Sequence, residues 1–304
     1  MMTRVLVTGA TGLLGKHAVN ALLAGGLEVH GVARTKPLDF SKDVTWHECD
    51  LLHTEQHERL VAKIQATHLL HLAWVTEHGQ FWNASENKDW KIASKNLIKA
   101  FQKNGGKRVV MAGSCAEYDW NNLGDGICQE EKTPLKPHTL YGQAKLETYQ
   151  WLTEFAVKTD LSQAWGRVFL VFGNGEFEKR LVPSIAKALH AGVEAKCSSG
   201  TQVRDFMDAE NAGQAFAALL MSDVQGAVNV ATGTPRTIGD VARTLGEISG
   251  RPELIKLGAF SDRKDDPPVL VADVARLENE VGFIQTSDFR LTLKHAYDQI
   301  CEGE

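Results

Sequence analysis

Along the chain, short and almost unbroken apolar runs alternate with longer stretches whose apolar residues recur every three or four positions. "RVLVTG" (4–9), "EVHGVAR" (28–34), "VTWHECDLL" (44–52), "HLLHLAW" (68–74), "RVVMAGS" (108–114) and "SQAWGRVFLVFG" (162–173) have the continuous apolar character of buried strands. Between them, "LGKHAVNALLAGG" (14–26), "HERLVAKIQ" (57–65), "WKIASKNLIKAFQKNG" (90–105) and "YGQAKLETYQWLTEFAVKTD" (141–160) carry the helical period. A strand that is apolar on both faces needs helices above and below it, and strand–helix–strand units set neighbouring strands parallel. The expected fold is therefore α/β, a Rossmann-type doubly wound parallel sheet. Beyond residue 173 the rhythm loosens: "GNGEFEKRLVPS" reads as a loop, "IAKALHAGVEA" as a helix and "SDRKDDPP" (261–268) as a charged loop. This half is expected to form a smaller C-terminal lobe over the strand ends. The division predicted is 1–173 for the large domain, with segments near 203–235 such as "AVNVAT" (227–232) returning to it. The lobe takes 174–202 and 236–304.

With 304 residues, the chain is long enough for two such lobes. A net charge of -5 argues against a nucleic-acid or anionic-membrane partner, both of which favour basic surfaces. No apolar run reaches the length of a membrane span, and "MMTRVLVTGA" lacks the apolar core of a secretory leader. The five cysteines are odd in number and none are paired as C-x-x-C, so neither a zinc site nor a disulfide framework is expected. A cytoplasmic enzyme without metal is the expectation.

"VTGATGLLGK" (7–16) places Gly9, Gly12 and Gly15 between a strand and a helix. In that context the first glycine permits the turn, the second lets backbone approach a pyrophosphate, and the third lets helix and strand pack closely. Thr11, Leu13 and Leu14 fill the loop, and the helix start offers N–H groups and a positive dipole end. The plain alternative is a tight turn. A site for NAD(H) would place a carboxylate at the end of the second strand. Here that strand ends in Ala33 and Arg34, and an arginine suits a 2′-phosphate. NADP(H) is favoured and NAD(H) remains open; the competing reading of Arg34 is a solvated surface side chain.

Tyr141 and Lys145, at i and i+4 in "YGQAK", share a helix face, a spacing that arises easily by chance. Ser114 gives it meaning, because it ends a buried strand at the carboxyl edge where ligands bind in such sheets. A nearby ammonium is expected to lower the phenol's pKa, so that Tyr141 exchanges a proton with a carbonyl or alcohol oxygen held by Ser114.

In order, the glycine loop, "GSCAEY", "YGQAK", "GRVFLVFGNG", "TQVRDFMDAENAGQAF" and "NVATGTPRTIGDVA" resemble the extended short-chain dehydrogenase/reductases. Within them the chain looks like the nucleotide-sugar epimerase, dehydratase and reductase branch, over nearly its whole length. The resemblance implies Ser114, Tyr141 and Lys145 as the catalytic set and a nicotinamide cofactor in the N-terminal domain. It also implies Asp50 and Leu51 beside the adenine, Ala73 along the cofactor channel, a nucleoside-diphosphate sugar under the smaller lobe, and a homodimer joined by two helices per subunit.

Departures from the family narrow the reaction. The acid and base of sugar-nucleotide dehydratases would stand at Cys115 and Ala116, and neither residue supplies that chemistry. Leu170, Trp90, Asp208 and Asn211 also differ from the usual residues at their places. With Ala33 and Arg34 pointing to NADP(H), reduction of a 4-keto-6-deoxy sugar nucleotide ranks first and 4-epimerisation second. A non-nucleotide carbonyl substrate follows, and then a non-catalytic NADP-sensing protein. For the pyrophosphate, Arg204 in "VRDF", Arg263 in "SDRKDD" and Arg180 in "EKRLVPS" are candidates, Arg204 the best matched; the alternative for each is a surface ion pair. "AWVTEHGQFW" (73–82) offers Trp74 and His78 to the sugar, or else packs its tryptophans beneath a loop. His53 and His57 are expected on the surface.

Overall fold

The computed structural model describes residues 3–38, 40–77, 79–263 and 266–302. Its main sheet has seven parallel strands: β1 Arg4–Thr8, β2 Glu28–Ala33, β3 Thr45–Glu48, β4 His68–His71, β5 Arg108–Ser114, β6 Ser162–Val168 and β7 Gly226–Val230. In space they follow the order β3-β2-β1-β4-β5-β6-β7. The order reverses between β1 and β4, and such a switch point opens a crevice beyond the carboxyl ends of the strands. Thr8, His71 and Ser114 end β1, β4 and β5 at that edge.

The nine helices among the described residues are α1 Gly15–Ala24, α2 His57–Ile64, α3 Glu86–Lys103, α4 Leu140–Thr159, α5 Leu181–His190, α6 Ala209–Met221, α7 Ile238–Ile248, α8 Ala275–Asn279 and α9 Phe289–Glu302. Alternation along the strands decides which helices cover which face. Val5, Val7, Val110 and Ala112 pack with Val19 and Leu22 of α1 and Ala212 and Phe216 of α6. Leu6, Val109 and Met111 point the other way, into Leu60 of α2, Leu97 and Phe101 of α3 and Leu152 of α4. Burying Leu97 or Phe101 completely contributes roughly 1.5–3 kcal/mol each.

A second sheet gathers Ile127–Cys128, Leu170–Phe172, Val203–Asp208, Pro235–Thr237 and Val269–Ala272. Asp205 fastens it: its fully buried carboxylate accepts the N–H and hydroxyl of Thr232 at 2.8 and 2.7 Å, Gly233 N–H at 2.8 Å and Ala272 N–H at 3.3 Å.

The structure corrects several element boundaries. The run 162–173 is two strands rather than one, because the chain leaves the main sheet at Phe169, buried against Cys115 and Tyr118, before Leu170–Phe172 pairs with Phe206–Asp208. The helix read from "IAKALHAGVEA" is Leu181–His190, with Pro183 in the first turn, where a missing N–H costs nothing. Its supposed tail is a turn and a short strand, Ala195–Lys196, paired with Ile255–Lys256. β3 and β4 stop at Glu48 and His71, short of residues 52 and 74, and α3 begins earlier, at Glu86.

Candidate active site

The glycine loop is drawn tight against the strand-end of β4. Gly9 has φ 65°, and a Cβ there would meet Ala73 N at 2.7 Å; a Cβ on Gly15 would meet Gly9 O at 2.0 Å. Only glycine fits either place. Behind the loop, Thr8 Oγ1 lies 2.5 Å from His71 Nδ1, His71 Nε2 lies 2.8 Å from Ser94 Oγ, and Ala73 N donates to Thr8 Oγ1 at 3.3 Å. Burial pushes His71 down to about 3, so the chain is uncharged and holds Ala73 beside Gly9. The first turn of α1 contains no acidic residue and Leu14 gives it no side-chain cap, which leaves the leading N–H groups without a side-chain acceptor. Thr11 is exposed and Leu13 half-buried at the mouth of this cradle.

Beyond β3, Leu51 is buried and Asp50 Oδ1 accepts Leu52 N–H at 3.0 Å. His57 Nε2 lies 2.8 Å from Leu51 O with the ring 1% exposed. The expected surface position of His57 is thus wrong: the first turn of α2 folds its ring under the Asp50–Leu51 turn, while His53 stays exposed. Arg34 is exposed just past β2 and pairs with no carboxylate among the described residues. An anion-accepting cradle, a buried turn after β3 and an uncommitted guanidinium after β2 fit the phosphates, adenine end and ribose of a dinucleotide.

Ser114 closes β5 and opens a single 3-10 turn, its hydroxyl accepting Ala116 N–H at 3.2 Å. Tyr141 begins α4, whose Thr139 cap accepts Gly142 N–H at 3.1 Å. The phenol meets the Ser114 side chain, and Phe81 and Trp82 stand edge-on to its ring with centroids at 5.0 and 5.8 Å. Tyr141 N–H donates to Trp82 O at 3.0 Å, which ties the 75–85 segment over the start of α4. One turn on, Lys145 Nζ donates to Ala112 O at 2.8 Å and lies 5.8 Å from the Tyr141 ring centroid. The sequence brings all three residues together as expected.

Their electrostatics differ from expectation. Burial raises the Tyr141 phenol well above its usual range, opposed by Ser114 and, more weakly, Arg180. Burial pushes Lys145 down to about 7, with Glu117 pulling the other way. Lys145 is not among the groups that shift the phenol here; its Nζ is turned to Ala112 O.

At the two positions next to Ser114, burial pushes the Cys115 thiol up to about 12, and Ala116 is enclosed. Glu117, fully buried, accepts from Ser114 N at 2.8 Å, Trp165 Nε1 at 2.9 Å and Arg167 Nε at 2.8 Å. Its lone pairs are committed to these donors, so Glu117 itself is not free to abstract a proton.

The proposed cations are placed unequally. Arg180 Nε pairs with Glu176 at 2.9 Å, its side chain 39% exposed, and its charge reaches the phenol. Arg204 is 3% exposed, with Nη2 2.6 Å from Asp266 and Nη1 donating to Val203 O at 2.7 Å; it is not a surface arginine. Arg263 is exposed in the loop before Asp266. His78 lies outside the described residues. Trp74, for which a sugar contact and packing beneath a loop are both expected, takes the packed position: it is 8% exposed and its indole donates to Asn87 Oδ1 at 2.8 Å.

Sequence reading missed the Glu117–Arg167 pair and buried Asn87. The signal was available: a lone Glu in the apolar run "GSCAEY" and a lone Arg in the strand "AWGRVF" each demand a partner.

Residues 5–231 match the NAD dependent epimerase/dehydratase family. The UDP-glucose 4-epimerase of Bacillus subtilis is 26% identical, over 92% of this chain and 91% of that protein. The dTDP-4-dehydro-6-deoxy-D-allose reductase of a Streptomyces species is 25% identical, over 92% and 90%. The solved structure of MoeE5 in complex with UDP-glucose and NAD superposes with a TM-score of 0.84 at 26% identity, over 99% of each chain.

Proposed function

Because this chain belongs to the NAD dependent epimerase/dehydratase family, as an extended short-chain dehydrogenase/reductase, we propose that it inverts C4 of a nucleoside-diphosphate sugar. The observation that carries this reading is the convergence of Ser114, Tyr141 and Lys145 beside the glycine cradle. Relatives whose names specify 4-epimerases shift the weight from reduction, which the sequence alone ranks first, to epimerisation.

Gly9, Gly12 and Gly15 with the start of α1 would hold the coenzyme's pyrophosphate, Asp50 and Leu51 its adenine end, and Ala73 the channel to the nicotinamide. When bound, the nicotinamide supplies hydride transfer to and from C4. Ser114 holds the C4 oxygen by a hydrogen bond, and Tyr141 takes the proton from the alcohol and returns it to the ketone. The raised phenol is fully protonated near neutrality, the state that donates to a ketone. In the oxidative half it acts as base only when the Lys145 ammonium is brought against it. Arg180, Arg204 and Arg263 are assigned to the sugar nucleotide's pyrophosphate, Arg180 being the one whose charge reaches the phenol. A homodimer joined by two helices per subunit, as the family resemblance implies, completes this reading; no nucleic acid or membrane partner enters it. No described helix is long and apolar enough to cross a membrane.

One observation favours a second reading. Ala33 and exposed Arg34 replace the carboxylate of an NAD site, which suits NADP(H) and net reduction of a 4-keto-6-deoxy sugar nucleotide. A panel of UDP, dTDP, GDP and CDP sugars separates the two. Epimerisation converts the sugar with no net change in NAD(P)H absorbance, whereas reduction consumes NADPH one for one. No conversion of any member overturns both.

A further inference from the structure

Lys145 is the helix lysine of the proposed proton-transfer set, and among the described residues it has no carboxylate partner within ion-pair distance. What faces it instead is an aromatic ring. Its Nζ stands 3.9 Å from the centroid of Trp74, closer than any other ammonium–ring approach in the described residues. The ring is fixed in turn. Its Nε1 donates to Asn87 Oδ1 at 2.8 Å, and fully buried Asn87 donates through Nδ2 to Phe81 O at 2.7 Å and Ala84 O at 2.9 Å. Trp90 packs beside it with ring centroids 6.3 Å apart. Turning the indole away from Lys145 therefore breaks a satisfied buried network.

We infer that Trp74 is a positioning residue for the reaction: its ring face, locked by Asn87, holds the Lys145 ammonium at the floor of the site in place of a counter-charge. This rests on the reading of Tyr141 and Lys145 as the proton-transfer pair. The physical reason is the quadrupole of indole, whose negative face attracts a cation most strongly where water is excluded. A carboxylate at that place would neutralise the ammonium and compete with the phenol for it. A ring face leaves the ammonium without a counter-charge, so that it can still be brought against Tyr141. Asn87 also couples the two halves of the site, since the segment whose carbonyls it holds carries Phe81 and Trp82 onto the Tyr141 ring.

The test is the titration of Lys145, read by NMR on protein carrying carbon-13 at the lysine Cε, with Lys145→Met to assign the signal. The other titratable groups around the ammonium are Glu117, His71 and Tyr141, and the substitutions leave all three in place. Trp74→Leu, which keeps apolar bulk but removes the π face, is expected to lower the Lys145 titration by about one pH unit. Trp74→Phe, which keeps a face and loses only the Asn87 bond, restores most of that shift. The alkaline limb of kcat moves in parallel. A Lys145 titration that is unmoved or raised in Trp74→Leu overturns the inference even if activity falls. Should Trp74→Leu fail to fold, Trp74→Met, which also lacks a ring face, replaces it, and a Lys145 titration unmoved or raised there overturns the inference. Tyr141→Phe, assayed separately, tests the underlying reading: retained turnover there sinks the catalytic assignment whatever Lys145 does.

Discussion

Glu117 and Arg167 meet at 2.8 Å with both side chains wholly enclosed, directly behind the residue that ends β5. The pair bridges the Ser114 turn to β6, and Glu117 also receives the Ser114 N–H and the Trp165 indole. Removing one partner strands a buried charge, which costs far more than the pair itself contributes. Glu117→Ala is expected to lose about 3–5 kcal/mol in urea unfolding. Glu117→Leu combined with Arg167→Met is expected to lose less than either single change. Equal stability of Glu117→Ala and wild type would show that the pair does not hold the turn.

Glu176 gives a pH signature. Burial raises its carboxyl from 4.5 to about 7 despite Arg180, and one of its oxygens has no hydrogen-bond partner among the described residues. The folded protein therefore binds a proton that the unfolded chain has released between those two values. Stability falls as pH rises through that window, and the cost is fully present above about 7. Glu176→Gln removes the titration, so the variant should gain on wild type by up to about 3 kcal/mol between pH 4.5 and 8. Thermal unfolding across that range checks it; a difference independent of pH would contradict it.

How much of this was legible in the sequence follows from which forces act locally. The strand–helix rhythm and the glycine spacing are set within a few residues, and β5, "RVVMAGS", was read to its exact ends. The convergence of Ser114, Tyr141 and Lys145 was legible because parallel strands always deliver their carboxyl ends to one edge. What failed depends on partners distant in sequence. The pattern leaves Trp74 between a sugar contact and packing beneath a loop, because Asn87 and Lys145, which claim its edge and its face, lie 13 and 71 positions away. His57 was placed on the surface because its partner, Leu51 O, is a backbone atom that no residue pattern reveals. The Tyr141 pKa was misjudged because pairing is visible in a spacing, whereas the depth of burial is not.

Coenzyme choice rests on Arg34. Arg34→Ser should weaken NADPH binding roughly 10-fold to 100-fold, the loss of one or two charge-assisted bonds, and leave NADH binding within about 2-fold. Fluorescence titration of both coenzymes measures this. Parallel loss or no loss would mean that Arg34 does not read a 2′-phosphate.

The most direct measurement is the turnover of Tyr141→Phe, taken alongside its coenzyme affinity. Removing one hydroxyl from a ring already packed by Phe81 and Trp82 leaves the fold and the glycine cradle untouched. Turnover should fall by about 100-fold to 10,000-fold while the coenzyme Kd stays within about 2-fold of wild type. Undiminished turnover in that variant would contradict the account.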